Sequence, residues 1–297
     1  MSVLPPLRIT VRLFAMQREA AGMKELRVEV PLGSTVEDAW TAIVATVPAL
    51  APGRKSLRFA VNGTYAKPDT MLADGDEVAC IPPVSGGADV DAHVDVDADA
   101  AAGADRRTAD RRILEIRAEP IPDGLLAELI GRLATVEDGG VVAFLGRTRV
   151  TAGTPAPGQE ALAAAHEGSA VEGLDYEAFE PMALGVLGQI ADEIEARWGV
   201  RHLAIVHRTG TVPLGDVSVA VVAASPHRDA AFEAARYAID ETKARAPIWK
   251  SERFEDGHVW IGHPARTGPE ASVDPAVSSE AGSPVDPTGS IDPVEPG

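Results

Sequence analysis

The sequence predicts an α+β fold built as two separate units. Three observations carry this. Short alternating runs around one amphipathic helix occupy the first 87 residues, and longer strands interleaved with helices occupy 113–263. Between and after them lie two stretches, 88–112 and 264–297, without the apolar spacing of a core.

In the first unit, LRITVRLFA (7–15) and KELRVEVP (24–31) alternate in the manner of half-buried strands. MQREAAG between them reads as a helical turn or loop ending at Gly22. Ser34 stands where an N-cap is needed, and Glu37 follows three residues later as in a capping box. Val36, Trp40, Ile43, Val44 and Val47 then mark one face of a helix reaching about Leu50. Two more strands, SLRFAVNG (56–63) and DEVACIPPV (76–84), complete a β-β-α-β-β order, with a turn at Asp74-Gly75-Asp76. The unit ends in Pro82-Pro83-Val84-Ser85-Gly86-Gly87, an extended strip poor in side chains.

The second unit opens with a helix over 121–136, its apolar face formed by Leu125, Leu126, Leu129, Ile130 and Leu133. Gly139-Gly140 introduces VVAFLGRTR (141–149), read as a buried strand, and 151–169 reads as a mobile loop rich in Gly, Ala and Thr. A strand at 171–179 leads into a helix from Glu180-Pro181 to about Trp198, closed by Gly199. Strands at 202–210 and 217–225 follow. The next helix is expected to start at Ser225-Pro226, with Ser225 as cap, and to run through Phe232, Ala235, Ile239 and Lys243 to a stop before Pro247.

Composition limits the function. The 297 residues carry 45 acidic and 27 basic side chains, a formal charge of −18, and 4% aromatics. Such a chain repels nucleic-acid phosphates. The hydrophobic fraction of 45% is enough for a sizeable core. One cysteine, Cys80, excludes an intramolecular disulfide framework and any multi-cysteine metal site, and the histidines lack ligand spacing, so no metal is expected. Cys80 falls in a strand and reads as packing. No apolar run is long enough to span a membrane and the start lacks signal-peptide features, so the expected location is the cytoplasm. The charge is unevenly placed. Residues 1–87 are neutral, 88–104 hold five Asp and no Lys or Arg, and the last 34 residues set six acids against Arg266 alone. The first charged stretch reads as a solvated linker and the second, with seven prolines, as a disordered tail.

Several polar residues of the second unit are candidates for chemistry. His227 and Arg228 open a helix, where free N–H groups favour a phosphate or carboxylate; the alternative is an ordinary solvated surface. Lys243 and Lys250 flank Ala246-Pro247-Ile248-Trp249, and Arg147 and Arg149 end a strand on one face. A lysine at a helix C-terminus also has a plain dipole explanation.

Taken as motifs, these segments carry a resemblance. The strand order, Asn62-Gly63, Gly75-Asp76-Glu77-Val78 and the Pro-Pro-Val-Ser-Gly-Gly ending resemble the small, ubiquitin-like sulfur-carrier subunit of molybdopterin synthase, a β-grasp fold; thiamin-type carriers share the diglycine. FLGRTR (144–149), LDYEAFEPMA (174–183), IVHRTG (205–210), SPHRDAAFEAARYAID (225–240) and KARAPIWKSERFEDG (243–257) are similar, in order and spacing, to its large catalytic subunit. The resemblance implies both subunits in one chain, carrier first. It implies sulfur transfer from a glycine thiocarboxylate to cyclic pyranopterin monophosphate, with Lys243 and Lys250 catalytic. Arg149, His227 and Arg228 would line the pterin and phosphate pocket, and Phe144 would form an apolar wall. It implies docking of the carrier on the catalytic unit, a homodimer through that unit, no cofactor bound for catalysis, and ATP used by a separate adenylating enzyme. A lysine among other cations loses proton affinity and serves as acid or base near neutral pH, or as ammonium steadies an oxyanion.

Two departures stand out. The family's carrier ends at its second glycine, whereas Gly87 here is followed by 210 further residues, and an internal peptide carbonyl cannot be adenylated as a free carboxylate. Cleavage after Gly87 is therefore expected. An uncut linker of 25 residues spans roughly 25–30 Å, enough for docking within one chain. The loop 150–169 also lacks the family's short polar continuation, and His166 is the residue there that could substitute. The rival readings are a non-catalytic scaffold with the diglycine plugging a degenerate pocket, and a carrier for another thiolation pathway.

Overall fold

The computed structural model describes residues 5–84 and 111–263. Gly86-Gly87, nearly all of the expected linker 88–112 and the tail 264–297 lie outside the described residues.

The first unit runs β1 (Leu7–Leu13), α1 (Ala15–Ala21), β2 (Glu25–Val30), α2 (Val36–Thr46), a 3-10 helix (Pro48–Ser56), β3 (Arg58–Val61), β4 (Thr64–Ala66) and β5 (Glu77–Ile81). The sheet order is β2-β1-β5-β3-β4, with β1 and β5 parallel at its centre and antiparallel pairs outside. Alternation along β1 sends Leu7, Ile9, Val11 and Leu13 inward against Val36, Trp40 and Ile43 of α2. Each large apolar side chain buried this way contributes roughly 1.5–3 kcal/mol. One helix on a five-stranded mixed sheet is the expected β-grasp.

Local chemistry corrects three expectations here. Thr35, not Ser34, caps α2, and Asp38, not Glu37, closes the box: Asp38 N–H donates to Thr35 Oγ1 at 3.3 Å, and Thr35 N–H to Asp38 Oδ2 at 2.8 Å. Ser34 is buried and its carbonyl accepts from Leu72 N–H, so the helix starts one residue later. The helix ends at Thr46, because Pro48 has no N–H to continue it, and a 3-10 segment takes over to Ser56. The MQREAAG stretch takes the helical option as α1, closed by Gly22 at φ 66°, and β4, beyond the expected β-β-α-β-β order, pairs with β3 across the Asn62-Gly63 turn.

The second unit runs β6 (Arg111–Arg117), α3 (Asp123–Leu133), β7 (Gly140–Arg147), α4 (Glu160–Ala165), β8 (Gly173–Ala178), α5 (Glu180–Trp198), β9 (His202–Arg208), β10 (Gly210–Pro213), β11 (Val217–Ser225), α6 (Arg228–Arg245), β12 (Ile248–Phe254) and β13 (Gly257–Ile261). One sheet is ordered β6-β9-β11-β7 and a second β10-β8-β12-β13. Helices α5 and α6 cover one face of the first sheet, against Leu203, Ile205, Val219 and Val221. Helix α3 covers the other with Leu125, Leu129 and Leu133 against Ala204, Val206 and Val222. Both faces of β11 are thus covered, which is why VSVAVVAAS is apolar almost throughout.

Here too the structure departs from expectation. Strand β6 includes Arg111 and Arg112 of the expected linker, since it pairs in parallel with β9 from Arg111 to Arg117. Strand β7 is an edge strand rather than a buried one. Among the described residues it pairs with β11 alone, and Val141, Phe144 and Leu145 are 40%, 36% and 38% exposed. An apolar run cannot distinguish a central strand from an edge whose far side awaits a partner. The expected loop 151–169 contains α4, and Ala156 within it is fully buried. Helix α6 starts at Arg228 with His227 as cap residue, because Ser225 and its neighbours complete β11, and it runs through Phe232, which is 60% exposed.

The two units share a continuous apolar cluster. Phe14, Ala60, Ile81 and Val84 of the first pack with Phe179, Met182, Trp249 and Trp260 of the second. Phe14 stacks on Phe179 at 5.0 Å and on Trp249 at 4.9 Å between centroids. Polar contacts ring this cluster: Arg18 pairs with Glu177 at 2.8 Å, Trp260 Nε1 donates to Glu19 at 3.0 Å, and Tyr65 Oη donates to the Arg245 carbonyl at 2.9 Å. Among the described residues no helix is long and apolar enough to cross a membrane.

Candidate active site

Where β7, β8, β9, β11, β12 and the end of α6 converge, they enclose a cavity of about 340 Å³. Four cations line it: Arg147 and Arg149 from the end of β7, Lys243 from the last turn of α6, and Lys250 from β12. Phe144 and Leu145 supply an apolar wall, and Tyr176, His207, Ser218 and Glu252 complete the lining used below.

The two lysines differ. Lys243 is exposed, whereas the Lys250 side chain is only 18% exposed. Burial pushes the Lys250 ammonium below the usual lysine range; Glu252 opposes this, and Lys243 and Arg149 add to it. The period of two along a strand puts Lys250 and Glu252 on one face of β12, with Nζ 3.3 Å from Oε1. Glu252 is 3% exposed and also accepts the Gly153 N–H at 2.9 and 3.1 Å. The loop after β7 is thereby tied to the carboxylate that holds Lys250. A side chain there would force its neighbours to shift: a Cβ at 153 would lie 2.9 Å from Ile261 and 3.2 Å from Glu252 Oε1.

Of the residues expected to form one pocket, Lys243, Lys250, Arg149 and Phe144 meet in this cavity. His227 and Arg228 do not. They sit exposed at the start of α6, with the Arg228 side chain 84% exposed and 3.6 Å from Asp229. The antiparallel register explains their distance, since Ser225 pairs with Gly140 at one end of β7 while Val217 pairs with Arg147 at the other. Close packing holds them there: a Cβ at Gly140 would lie 3.0 Å from the Arg228 Cα. His166 does not line the cavity either. It stacks on Phe254 at 4.4 Å and pairs with Asp256 at 3.2 Å, beside a separate hollow beyond Gly153. Gly86 and Gly87 lie outside the described residues.

Glu252, Gly153, Tyr176, His207 and Ser218 were not singled out from the sequence. The i, i+2 spacing of Lys250 and Glu252 was the available signal, and it required knowing that 248–254 is a strand.

The strip that precedes the diglycine is seated beside these residues. The Pro82 carbonyl accepts from Trp249 Nε1 at 3.0 Å. Val84 and His263 exchange two backbone hydrogen bonds, at 2.7 and 2.8 Å. Trp249 precedes Lys250 in β12 with its side chain on the opposite face of the strand, and His263 lies two residues beyond Ile261, which pairs with Lys250 across β12 and β13.

Two family models and several curated relatives match this chain in sequence. The model of the MoaE protein family matches residues 123–245, and that of the ThiS family matches residues 11–87. The molybdopterin synthase catalytic subunit of Bacillus subtilis is 49% identical over 94 residues, 32% of this chain and 60% of that protein. The same subunit from Staphylococcus epidermidis is 45% identical over 105 residues, 35% of this chain and 70% of that protein. The crystal structure of molybdopterin synthase from Staphylococcus aureus is 38% identical, covers 50% of this chain and 96% of its own, and superposes with a TM-score of 0.42. The chain therefore spans about three fifths of the Bacillus subtilis relative. With 45% identity across more than two thirds of a named subunit, behind a unit of the ThiS type, this chain belongs to the molybdopterin synthase catalytic-subunit family.

Proposed function

We propose that the chain makes the dithiolene of molybdopterin by moving sulfur from a thiocarboxylate on Gly87 to cyclic pyranopterin monophosphate. One observation carries this reading: the strip Pro82–Val84 is anchored on His263 and on Trp249, the strand neighbour of Lys250, and Lys250 lines a cavity with three other cations. Gly87 is three residues beyond Val84, a reach of about 10 Å at most.

In this reading Arg149, with Arg147, holds the phosphate, since guanidinium suits bidentate contact with phosphate oxygens. Lys250, whose proton affinity is lowered by burial, supplies the acid or base step, and Lys243 steadies the charge that develops on the thiocarboxylate carbon's oxygen. Sulfur bonds to a side-chain carbon of the pterin as a C–O bond there breaks, and water then cleaves the Gly87 acyl C–S bond, so Gly87 ends as a free carboxylate. A free carboxyl at Gly87 requires cleavage before Ala88, with ATP-dependent activation by a separate enzyme. Two such transfers complete one dithiolene.

The same reading includes a homodimer through β7. Its open edge and exposed Val141, Phe144 and Leu145 are suited to a second copy. Antiparallel pairing of two β7 edges brings the Gly140 end of one to the Arg147 end of the other. That would carry the partner subunit's His227 and the partner's Arg228 toward this cavity, giving them the anion-binding role implied by resemblance.

The test combines mass and activity. Chains purified from the native host should show two masses divided after Gly87, and a thiocarboxylated first unit should convert the pterin substrate. Lys250→Ala and Lys243→Ala should each lower the rate about a hundredfold or more. Only uncut chains in an active preparation would defeat the cleavage step, full activity in both variants would remove the two lysines from catalysis, and no conversion by the thiocarboxylated wild type would favour the scaffold reading.

A further inference from the structure

The floor of the cavity has a polarity that the cationic rim does not explain. His207 is 6% exposed, and its Nδ1 lies 2.8 Å from the Arg208 carbonyl oxygen. A carbonyl only accepts, so Nδ1 carries the ring proton and Nε2 keeps its lone pair. Burial and the nearby Lys243 both disfavour the imidazolium, which keeps the ring neutral. Beside it, Tyr176 meets His207 edge-on at 5.1 Å. The Tyr176 hydroxyl donates to Ser218 Oγ at 3.4 Å, and Ser218 Oγ donates onward to the Gly146 carbonyl at 3.2 Å. The chain Tyr176 to Ser218 to Gly146 ends on an acceptor, so both hydroxyl protons are committed. What remains for a ligand is acceptor capacity, at His207 Nε2 and at Tyr176 Oη.

We propose that His207, with Tyr176, determines specificity by accepting hydrogen bonds from ring N–H groups of the bound heterocycle, while the cations above take its anionic group. Such a floor selects an N–H-bearing heterocyclic phosphate over a bare phosphate or a heterocycle offering only acceptors. This rests on the pterin reading above and assigns the part of the pocket that distinguishes the ring.

The experiment is calorimetric titration of the full chain with cyclic pyranopterin monophosphate and, separately, with inorganic phosphate. His207→Phe keeps a ring of similar size and removes the acceptor. It should weaken pterin binding about tenfold or more, because the ligand's donor is left unpaired, and leave phosphate binding within about twofold. His207→Gln, whose amide oxygen can replace Nε2, should restore pterin affinity to within about threefold of wild type. Tyr176→Phe should weaken the pterin alone, and serves as the second probe should His207→Phe not fold. Unchanged pterin affinity in folded His207→Phe, or equal loss of both ligands, overturns the assignment. Wild-type chain that binds phosphate but not the pterin overturns the pterin reading itself, and this assignment with it.

Discussion

Lys250 Nζ stands 3.3 Å from the carboxylate of Glu252, two residues along the same strand, and that carboxylate also holds the Gly153 N–H. One buried acid thus opposes the loss of proton affinity that burial imposes on a lysine and also ties down the loop that borders it. Exposed ion pairs contribute little, but this one is shielded, with side-chain exposures of 18% and 3%.

Glu252→Gln tests the first consequence. Burial already lowers the Lys250 pKa and Glu252 raises it, so removing the charge lowers it further. The amine then loses its proton at lower pH than in wild type. The alkaline transition of the pH–rate profile should move down in pH, whether the active form is amine or ammonium, and only the sense of the limb distinguishes the two. An unmoved transition would show that Lys250 does not govern it.

Gly153→Val tests the second. Its Cβ would fall 2.9 Å from Ile261 and 3.2 Å from Glu252 Oε1, so the loop must give way. Overpacking of this kind costs about 1–3 kcal/mol. Thermal denaturation should show that loss, and kcat should fall more than KM rises, because Lys250 loses its fixed partner.

Phe14→Ala probes the docking of the two units. Phe14 is 8% exposed and stacks on both Phe179 and Trp249. Truncating such a ring costs about 3–5 kcal/mol in a core. Hydrogen exchange of the full chain should rise along 248–254 and 77–84 and change least in α3, which is remote from the junction.

Val141→Asp addresses the open edge of β7. Val141 is 40% exposed and does not line the cavity. A charge there should shift sedimentation toward the monomer and weaken phosphate binding about as much as Arg228→Ala does, and the two together should do no more than either alone. Full phosphate affinity in a monomeric variant would remove the partner's His227 and the partner's Arg228 from the site.

Much of the fold was legible along the chain because its signals are local. The Gly199 stop of α5, the alternation of β1 and the apolar stripe of α3 each depend on neighbours a few residues away. Misreadings arose where a distant contact decided between local options. Thr35 displaced Ser34 as cap because Ser34 is paired with Leu72, and the start of α6 moved to Arg228 because β11 claims Ser225. The apolar run of β7 read as buried because periodicity reports one packed face and is silent on whether an edge is paired. Cys80, read as packing, is fully buried in β5 with its thiol pKa pushed up to about 12 by desolvation.

The sequence by itself determined two α+β units, their elements to within a few residues, and four of the six side chains expected around one cavity. Those are matters of residue type and short-range spacing. Tertiary structure decided the rest: that Glu252 holds Lys250, that Gly153 closes over it, that His207 and Tyr176 offer acceptors, and that His227 and Arg228 lie at the far end of β7. Strand pairing and burial set these, by joining residues tens to a hundred positions apart. No pattern along the chain encodes which of its polar groups will share a cavity.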